Sequence, residues 1–529
     1  MFTKLRRTLF SGFFLFLLIF VLEILALIFV QLFMDDLLVL IWPETESTVK
    51  EIVTWIWLGI RAISFILAVC LFYRVINKQE DSEFKIPWIV GLFLVPLFVI
   101  MMYAVFGGHG LSHKEKRVIG VSRASYIPYL EMEHKRFKDN DKKLGRAAGA
   151  FNYIKNVTTT GGHSHNRVTY YKNGETFFPE FIEGLKKAEE FIFIEFFIIA
   201  DGKEWDAVKK ILIEKAEQGV EVRLIYDDLG CSGVISSRTA KRLRKLGIQC
   251  YKFHPFRPFL HRSYNNRSHR KIVVIDHKMA FTGGINLADE YANLIKRFGY
   301  WKDTMIKIEG SAISNLITIF LQNFDLCSRD PSDYHKYLNY EYPKYKEEGF
   351  VAPFGDGPGG IDDALVGEQN YMNIINYATK RVDISTPYLI PTYQLMDAMR
   401  NAALRGVQVN LIVPGIPDKK IVYSMAKSNF RFLLDAGVNI YYYKPGFNHM
   451  KSALADGELG FVGTINFDFR SLVHHFECGA LLYKNPCLKD LQEDFDEMLS
   501  VSERVPNSFK RGLWSRFICA LLKIFAPLL

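Results

Sequence analysis

The chain has 529 residues, more than one ordinary core holds, so two or more domains are expected. It is 49% hydrophobic and 14% aromatic with 43 Phe, rich for a soluble enzyme, and its net charge of +9 suits an anionic partner, either lipid headgroups or nucleic acid. The seven cysteines are scattered with no C-x-x-C spacing, which argues against a zinc site or a disulfide framework and leaves them as free thiols filling core space.

The apolar excess sits at the N-terminus. Residues 9–33, 52–73 and 87–106 form three runs, each near the roughly 20 residues needed to cross a bilayer. The first is too long for a cleaved signal peptide, contains Glu23 and lacks a small-residue cleavage site. Up to three transmembrane helices are therefore expected. Glu23 and Arg61 are costly inside a span and are expected to pair or snorkel. The cues on sidedness conflict. Lys4, Arg6 and Arg7 place the N-terminus inside, and three spans would then put the rest of the chain outside. Yet Lys114, Lys116 and Arg117 follow the third run and favour the inside; a re-entrant run would reverse the side.

Residues 109–160 are polar and basic and read as a linker with a connecting helix. The loop that follows holds His163 and His165, which have no carboxylate or Cys beside them and read as solvated rather than metal-binding. Strand and helix signals then alternate. FIFIEFFII at 191–199 is a buried strand, 205–218 a helix ending at Gly219, 220–226 a strand, 237–246 a helix ending at Gly247, and 248–253 a strand. The same order returns later in the chain. Residues 381–384 form a strand, 393–404 a helix ending at Gly406, 407–413 a strand, 430–436 a helix ending at Gly437, and 438–443 a strand. EKAEQGVEVRLI and RNAALRGVQVNLI are copies outside any motif. The alternation predicts an α/β fold, duplicated, with helices on both faces of each sheet. Residues 509–529 read as an amphipathic C-terminal helix.

Each copy carries one motif. The first runs HRKIVVID from His269 and reaches Gly283 and Asn286; the second runs HMKSALAD from His449 and reaches Gly463 and Asn466. In both, Lys follows His by two positions, Asp by seven, Gly by fourteen and Asn by seventeen, with no gap. Two gapless matches make chance a poor account. Residues two apart on a strand share a face, so each half presents one imidazole and one ammonium. Two halves related by a pseudo-dyad would gather two of each around one pocket.

That set suits phosphodiester chemistry. One neutral His attacks phosphorus and splits a hard displacement into two easier steps. The other protonates the leaving alkoxide and deprotonates the incoming hydroxyl. Lys271, Lys451 and the amides of Asn286 and Asn466 hold the oxygens on which charge builds up. The cations are built in, so neither a metal nor another cofactor is expected.

The twin motif resembles the HKD signature of the phospholipase D superfamily. IEFFII, EKAEQGVEVRLIYDDLG, NRSHRKIVVID, GGINLADEY, YWKDTMIKIEG, STPYLIP and NAALRGVQVNLIVP are similar to bacterial cardiolipin synthases, from about the second apolar run to the C-terminus. The resemblance implies two phospholipase D-type half-domains, each a mixed sheet flanked by helices, preceded by N-terminal transmembrane helices. The expected boundaries are 1–110 for the membrane region, 111–172 for the linker, 173–350 and 351–508 for the half-domains, and 509–529 for the last helix. It implies transfer of a phosphatidyl group from one phosphatidylglycerol to a second, releasing glycerol, in a bacterial cell membrane. It implies His269 as nucleophile and His449 as acid/base, with Asp303 and Glu477 orienting the histidines and the motif acids Asp276 and Asp456 mainly structural. A hydrolytic phospholipase D, a phosphatidylserine synthase and a nuclease of the same superfamily are the alternatives; the membrane spans count against a nucleic-acid partner.

Overall fold

The structure, a computed structural model, describes residues 47–78, 82–107, 111–137, 141–255, 265–358 and 364–524. They fall into two units: an N-terminal helical unit and a larger one that holds both motifs.

The first apolar run lies outside the described residues. The second forms the helix Ser47–Asn77, of which Thr54–Asn77 is long and apolar enough to cross a membrane. Its 24 residues rise about 36 Å, against a hydrocarbon core of about 30 Å. The Arg61 guanidinium lies over the Trp57 ring, 5.3 Å from its centroid.

The third run departs from expectation. It breaks at Val95, because Pro96 has no N–H to continue the ladder, and gives two helices, Ser82–Leu94 and Pro96–Phe106, of 13 and 11 residues. The run folds back far enough for the rings of Trp88 and Tyr103 to stand 5.2 Å apart. Each arm is too short to span. Among the described residues, one helix is both long and apolar enough to span.

The larger unit is built on two mixed sheets whose strand orders correspond one for one. The seven-stranded sheet runs Arg167–Tyr171, Met305–Glu309, Met279–Gly283, Ile272–Ile275, Phe191–Phe196, Glu221–Asp227, Gln249–Phe253. The nine-stranded sheet contains Phe350–Asp356, Glu477–Tyr483, Leu459–Gly463, Ser452–Ala455, Arg381–Ser385, Gln408–Pro414, Asn439–Tyr443 in the same order, with His163–Ser164 and Ser502–Arg504 added at its edges. In each sheet the last three strands of the shared order are parallel and the others antiparallel. The duplication seen in sequence is thus a duplication of topology. Most predicted helices and strands appear with their ends shifted by a residue or two, and the helix Tyr393–Leu404 matches throughout; the strand expected at 191–199 ends at Phe196 and the last helix begins at Leu513 rather than 509.

Two local expectations are corrected. His163 is not in a solvated loop: it is 5% exposed, pairs with Val351, and its ring nitrogens meet Ser311 Oγ at 3.0 Å and Asn315 Oδ1 at 3.1 Å. The first sheet also begins earlier than residue 173, since Arg167–Tyr171 is its edge strand. The linker contributes to the core. Its helix His113–Phe137 docks on the helix Ile313–Ser328, where Ser122 donates to buried Asp325 at 2.6 Å.

The motif glycines answer to packing. A Cβ on Gly463 would stand 2.7 Å from the Cys478 carbonyl oxygen and 2.7 Å from the Gly479 Cα, across a ladder that cannot open without breaking its bonds. Gly463→Ala is expected to cost about 1–3 kcal/mol of stability, the usual scale for overpacking, read as a lowered thermal midpoint at unchanged secondary-structure content.

Candidate active site

The two motif histidines do not lie within their strands. His269 and Lys271 sit just ahead of Ile272–Ile275, and His449 and Lys451 just ahead of Ser452–Ala455. There the backbone leaves its own sheet and pairs with the opposite half. His269 N–H donates to Phe476 O at 2.8 Å, and Phe476 N–H to Arg267 O at 2.8 Å. In the second half Gly446–Asn448 runs parallel to Tyr300–Lys302, and His449 N–H donates to Lys302 O at 2.7 Å. The residue after each of these partners is a carboxylate. His269 Nδ1 therefore meets Glu477 Oε2 at 2.9 Å, and His449 Nδ1 meets Asp303 Oδ2 at 2.6 Å. Each imidazole is paired with an acid from the other copy.

A carboxylate on Nδ1 selects the tautomer with Nδ1–H and leaves Nε2 with a lone pair. Both histidines are 6% exposed, and Lys271, Lys451 and Glu477 are wholly buried. Lys271 Nζ donates to His269 O at 2.6 Å; Lys451 Nζ lies 3.6 Å from Asp303 Oδ2 and also donates to His449 O. His269, Lys271 and His449 each feel the charge of the opposite half's lysine, and Lys451 that of Asp303 from the opposite half, so the twin pairs share one site. Burial, then the nearby lysines, holds His269 well below the ordinary imidazole value. Burial and Lys451 bring His449 to about 4. Burial lowers Lys271 to about 7 and Lys451 to about 8. Burial alone would push Asp303 up, but Lys451 and His449 outweigh it and its net shift is downward.

The remaining predicted residues divide. Asp276 is far from any imidazole in role: its carboxylate accepts the backbone N–H groups of Glu189, Glu190 and Phe191 at 3.1, 2.8 and 2.9 Å. Asp456 does the same for Thr379, Lys380 and Arg381 at 2.8, 2.8 and 2.9 Å. Both sit at positive φ in the hairpin turn and tie it to the neighbouring strand. Asn286 is already engaged, accepting from Ile198 N–H at 3.0 Å and donating to the Tyr291 hydroxyl at 2.7 Å. Asn466 is 5% exposed, and its Oδ1 has no hydrogen-bond partner among the described residues.

Several site residues were invisible in the spacing. Phe197 stands edge-on to His269 at 5.0 Å, and Tyr291, Trp301 and Phe447 surround His449 at 5.5, 5.7 and 5.5 Å. Ser471 donates to Glu477 Oε1 at 2.6 Å, and the Thr464 hydroxyl donates to Oε2. His475 lies 5.7 Å from the His269 ring, with its Nδ1 3.6 Å from Glu477 Oε1. For all but Phe197, which lies in the apolar run 191–199, the only hint was nearness in sequence to Glu477 or to a motif. His269, His475 and Glu477 bring ligand atoms within 4.8 Å of one another, the one grouping of metal-ligand type among the described residues. The ammonium groups of Lys271 and Lys451 oppose a cation there.

The geometry joins with what the chain is similar to. The family described as cardiolipin synthase, PLD-like domain matches residues 181–319 and 371–499, one match per half. The chain belongs to the cardiolipin synthase family of phospholipase D-like enzymes. Cardiolipin synthase 2 of Bacillus anthracis is 32% identical over 474 residues, covering 88% of this chain and 90% of that protein. An uncharacterized protein of Streptococcus mutans serotype c is 40% identical over 458 residues, covering 86% and 98%. Among solved structures, phosphatidylserine synthase of Haemophilus influenzae Rd KW20 aligns with a TM-score of 0.54 at 14% identity, covering 72% of this chain and 96% of that one, a likeness of fold. A cardiolipin synthase-like enzyme of this superfamily acts on phospholipids, and the helix Thr54–Asn77 is fit to anchor it in their membrane.

Asp303→Asn and Glu477→Gln keep the size of each acid but not the charge that holds the imidazole. Each is expected to lower turnover by about 10³-fold or more, the scale of losing a histidine-orienting carboxylate. Turnover measured alongside an unchanged circular dichroism spectrum checks this.

Proposed function

We propose that the protein is a membrane-bound phosphatidyltransferase that makes cardiolipin and glycerol from two molecules of phosphatidylglycerol through a phosphohistidine. The observation that carries this reading is the pair of crossed imidazole–carboxylate contacts, each with a buried lysine, facing one site. His269 Nε2 attacks phosphorus, the bond from phosphorus to the headgroup oxygen breaks, and protonated His449 gives its proton to the leaving glycerol. The terminal hydroxyl of a second phosphatidylglycerol then yields its proton to His449 and attacks phosphorus. The P–N bond breaks and His269 is restored. His449 is hard to protonate in the empty site, where its pKa is about 4, but an anionic phosphodiester beside it favours the imidazolium. Lys271, Lys451 and Asn466 are assigned to the non-bridging oxygens; Asn286 acts through Tyr291 and the backbone at Ile198. The apolar ring of Phe197, Tyr291, Trp301 and Phe447 restricts water, which favours transfer over hydrolysis.

The folded-back third run also bears on sidedness. A re-entrant segment returns the chain to the side on which it entered. Lys78 and Lys85 precede it and Lys114, Lys116 and Arg117 follow it, so the positive-inside rule puts both ends, and the catalytic halves with them, in the cytoplasm. Labelling of an engineered cysteine at the exposed position 165 by an impermeant reagent is expected only after the cells are broken.

Purified protein given phosphatidylglycerol alone is expected to yield cardiolipin and equimolar glycerol without added metal, and His269→Ala and His449→Ala are each expected to lose several orders of magnitude. Phosphatidic acid as sole product would make it a hydrolase. A lysine of lowered pKa is charged only below that pKa, so the cation that binds the phosphodiester is lost as pH rises through about 7 and about 8. KM is expected to climb over that window, and Lys271→Arg, always charged, to move the rise to higher pH.

A further inference from the structure

Among the large apolar side chains that the catalytic unit leaves in water, two groups lie on segments linked to the surroundings of His449. Leu294 and Ile295, 50% and 54% exposed, sit on the loop after the first motif. That loop is held beside the site by Asn293. Asn293 accepts from Trp301 N–H at 2.7 Å and donates to Trp301 O at 3.1 Å, and Trp301 flanks His449. Ile416 and Ile421, 41% and 58% exposed, follow the strand Gln408–Pro414 in the other half. Between them Asp418 accepts from the Tyr388 hydroxyl at 2.6 Å, and Tyr388 lies within electrostatic reach of Tyr291, the other ring beside His449.

A third element joins them. On the helix Leu513–Ile524, residues Leu513, Trp514, Phe517 and Ile518 are 81%, 78%, 57% and 52% exposed and fall on one stripe. The opposite side is held on the helix Lys420–Ser428: Cys519 is buried with Sγ 3.4 Å from Ser424 Oγ, and Arg511 donates to the same hydroxyl at 3.1 Å. The last helix therefore extends the patch that begins at Ile421.

Exposed apolar surface of this extent marks a binding face. The charge around it is positive. Lys296, Lys419, Lys420, Lys510 and Arg516 are exposed, while Arg297 is matched by Glu290 at 3.2 Å and Asp418 is turned inward to Tyr388. Apolar and Trp side chains flanked by Lys and Arg match the interface of an anionic bilayer.

We propose that this rim is a membrane-docking face, seated on an anionic lipid bilayer with Leu294 and Ile295 in the headgroup–acyl boundary beside His449. A lipid phosphodiester then reaches the histidines while its acyl chains stay in the bilayer. The proposal rests on the phosphatidyltransferase reading for its purpose, but its test does not. In the full-length protein reconstituted into phosphatidylglycerol-containing nanodiscs, Ile295→Trp adds a fluorophore at the rim. Brominated acyl chains are expected to quench at least half of the added emission, and less when the host lipid is phosphatidylcholine alone. Unquenched emission overturns the docking face, whether or not the protein makes cardiolipin. The double variant Leu294→Ser, Ile295→Ser is expected to turn over bilayer phosphatidylglycerol at least tenfold more slowly, yet dihexanoyl-phosphatidylglycerol below its micelle concentration within twofold of wild type. Equal losses on both substrates overturn the proposal and make the loop structural. If the rim joins two copies of the chain instead, quenching is absent and the double variant lowers the mass of the detergent-solubilised particle, which also overturns it. Quenching without cardiolipin in the wild type keeps the docking face and rejects the transferase reading.

Discussion

The site depends on an exchange of carboxylates. Neither half holds a complete His–acid pair: His269 takes Glu477 from the second copy, and His449 takes Asp303 from the first. The exchange follows from backbone pairing, because each histidine's own N–H bonds to the residue just before the acid it uses. One strand-like crossing sets both the position of the ring and the group that chooses its tautomer. A single half would present an imidazole with no partner on Nδ1.

Charge balance follows from the same crossing. Two lysines and two carboxylates are buried together, so the cations are not left unpaired in a medium where an isolated charge is costly. Burial still wins on the lysines and histidines and lowers all four. The empty site is thus tuned to accept negative charge, and a phosphodiester supplies it. The lysines' depressed pKa values and the neutral histidines are two faces of one desolvation.

The copies have also diverged where symmetry would not serve. Gly284 leaves room for the Asp303 carboxylate, which a Cβ would strike. Its counterpart Thr464 spends its hydroxyl on Glu477. Arg270, between His269 and Lys271, points to the opposite face and donates to the carbonyls of Glu477, Ile319 and Asp356 at 3.0, 3.2 and 3.1 Å, which locks the first motif to the other half; Met450 stands in its place in the second. The two imidazoles therefore have different surroundings, as the proposed roles of nucleophile and acid/base require.

Much of this was legible before any coordinates. Duplication, the alternation of strands and helices and the His-x-Lys pairs are local, carried by spacing and by the glycines that stop helices, and local patterns survive in the linear chain. Asp303 and Glu477 were reachable only through family likeness, because a carboxylate 146 or 208 residues from the histidine it pairs with leaves no periodic trace. The bend at Pro96 could be suspected from the proline but not its sharpness, since a kinked span and a folded-back hairpin have the same hydropathy. The buried strand at His163, the aromatic walls and the crossing of acids between halves were decided by tertiary structure alone. Each depends on which distant segments meet, and the sequence by itself determined the parts that would meet, while packing of one copy against the other decided the partners.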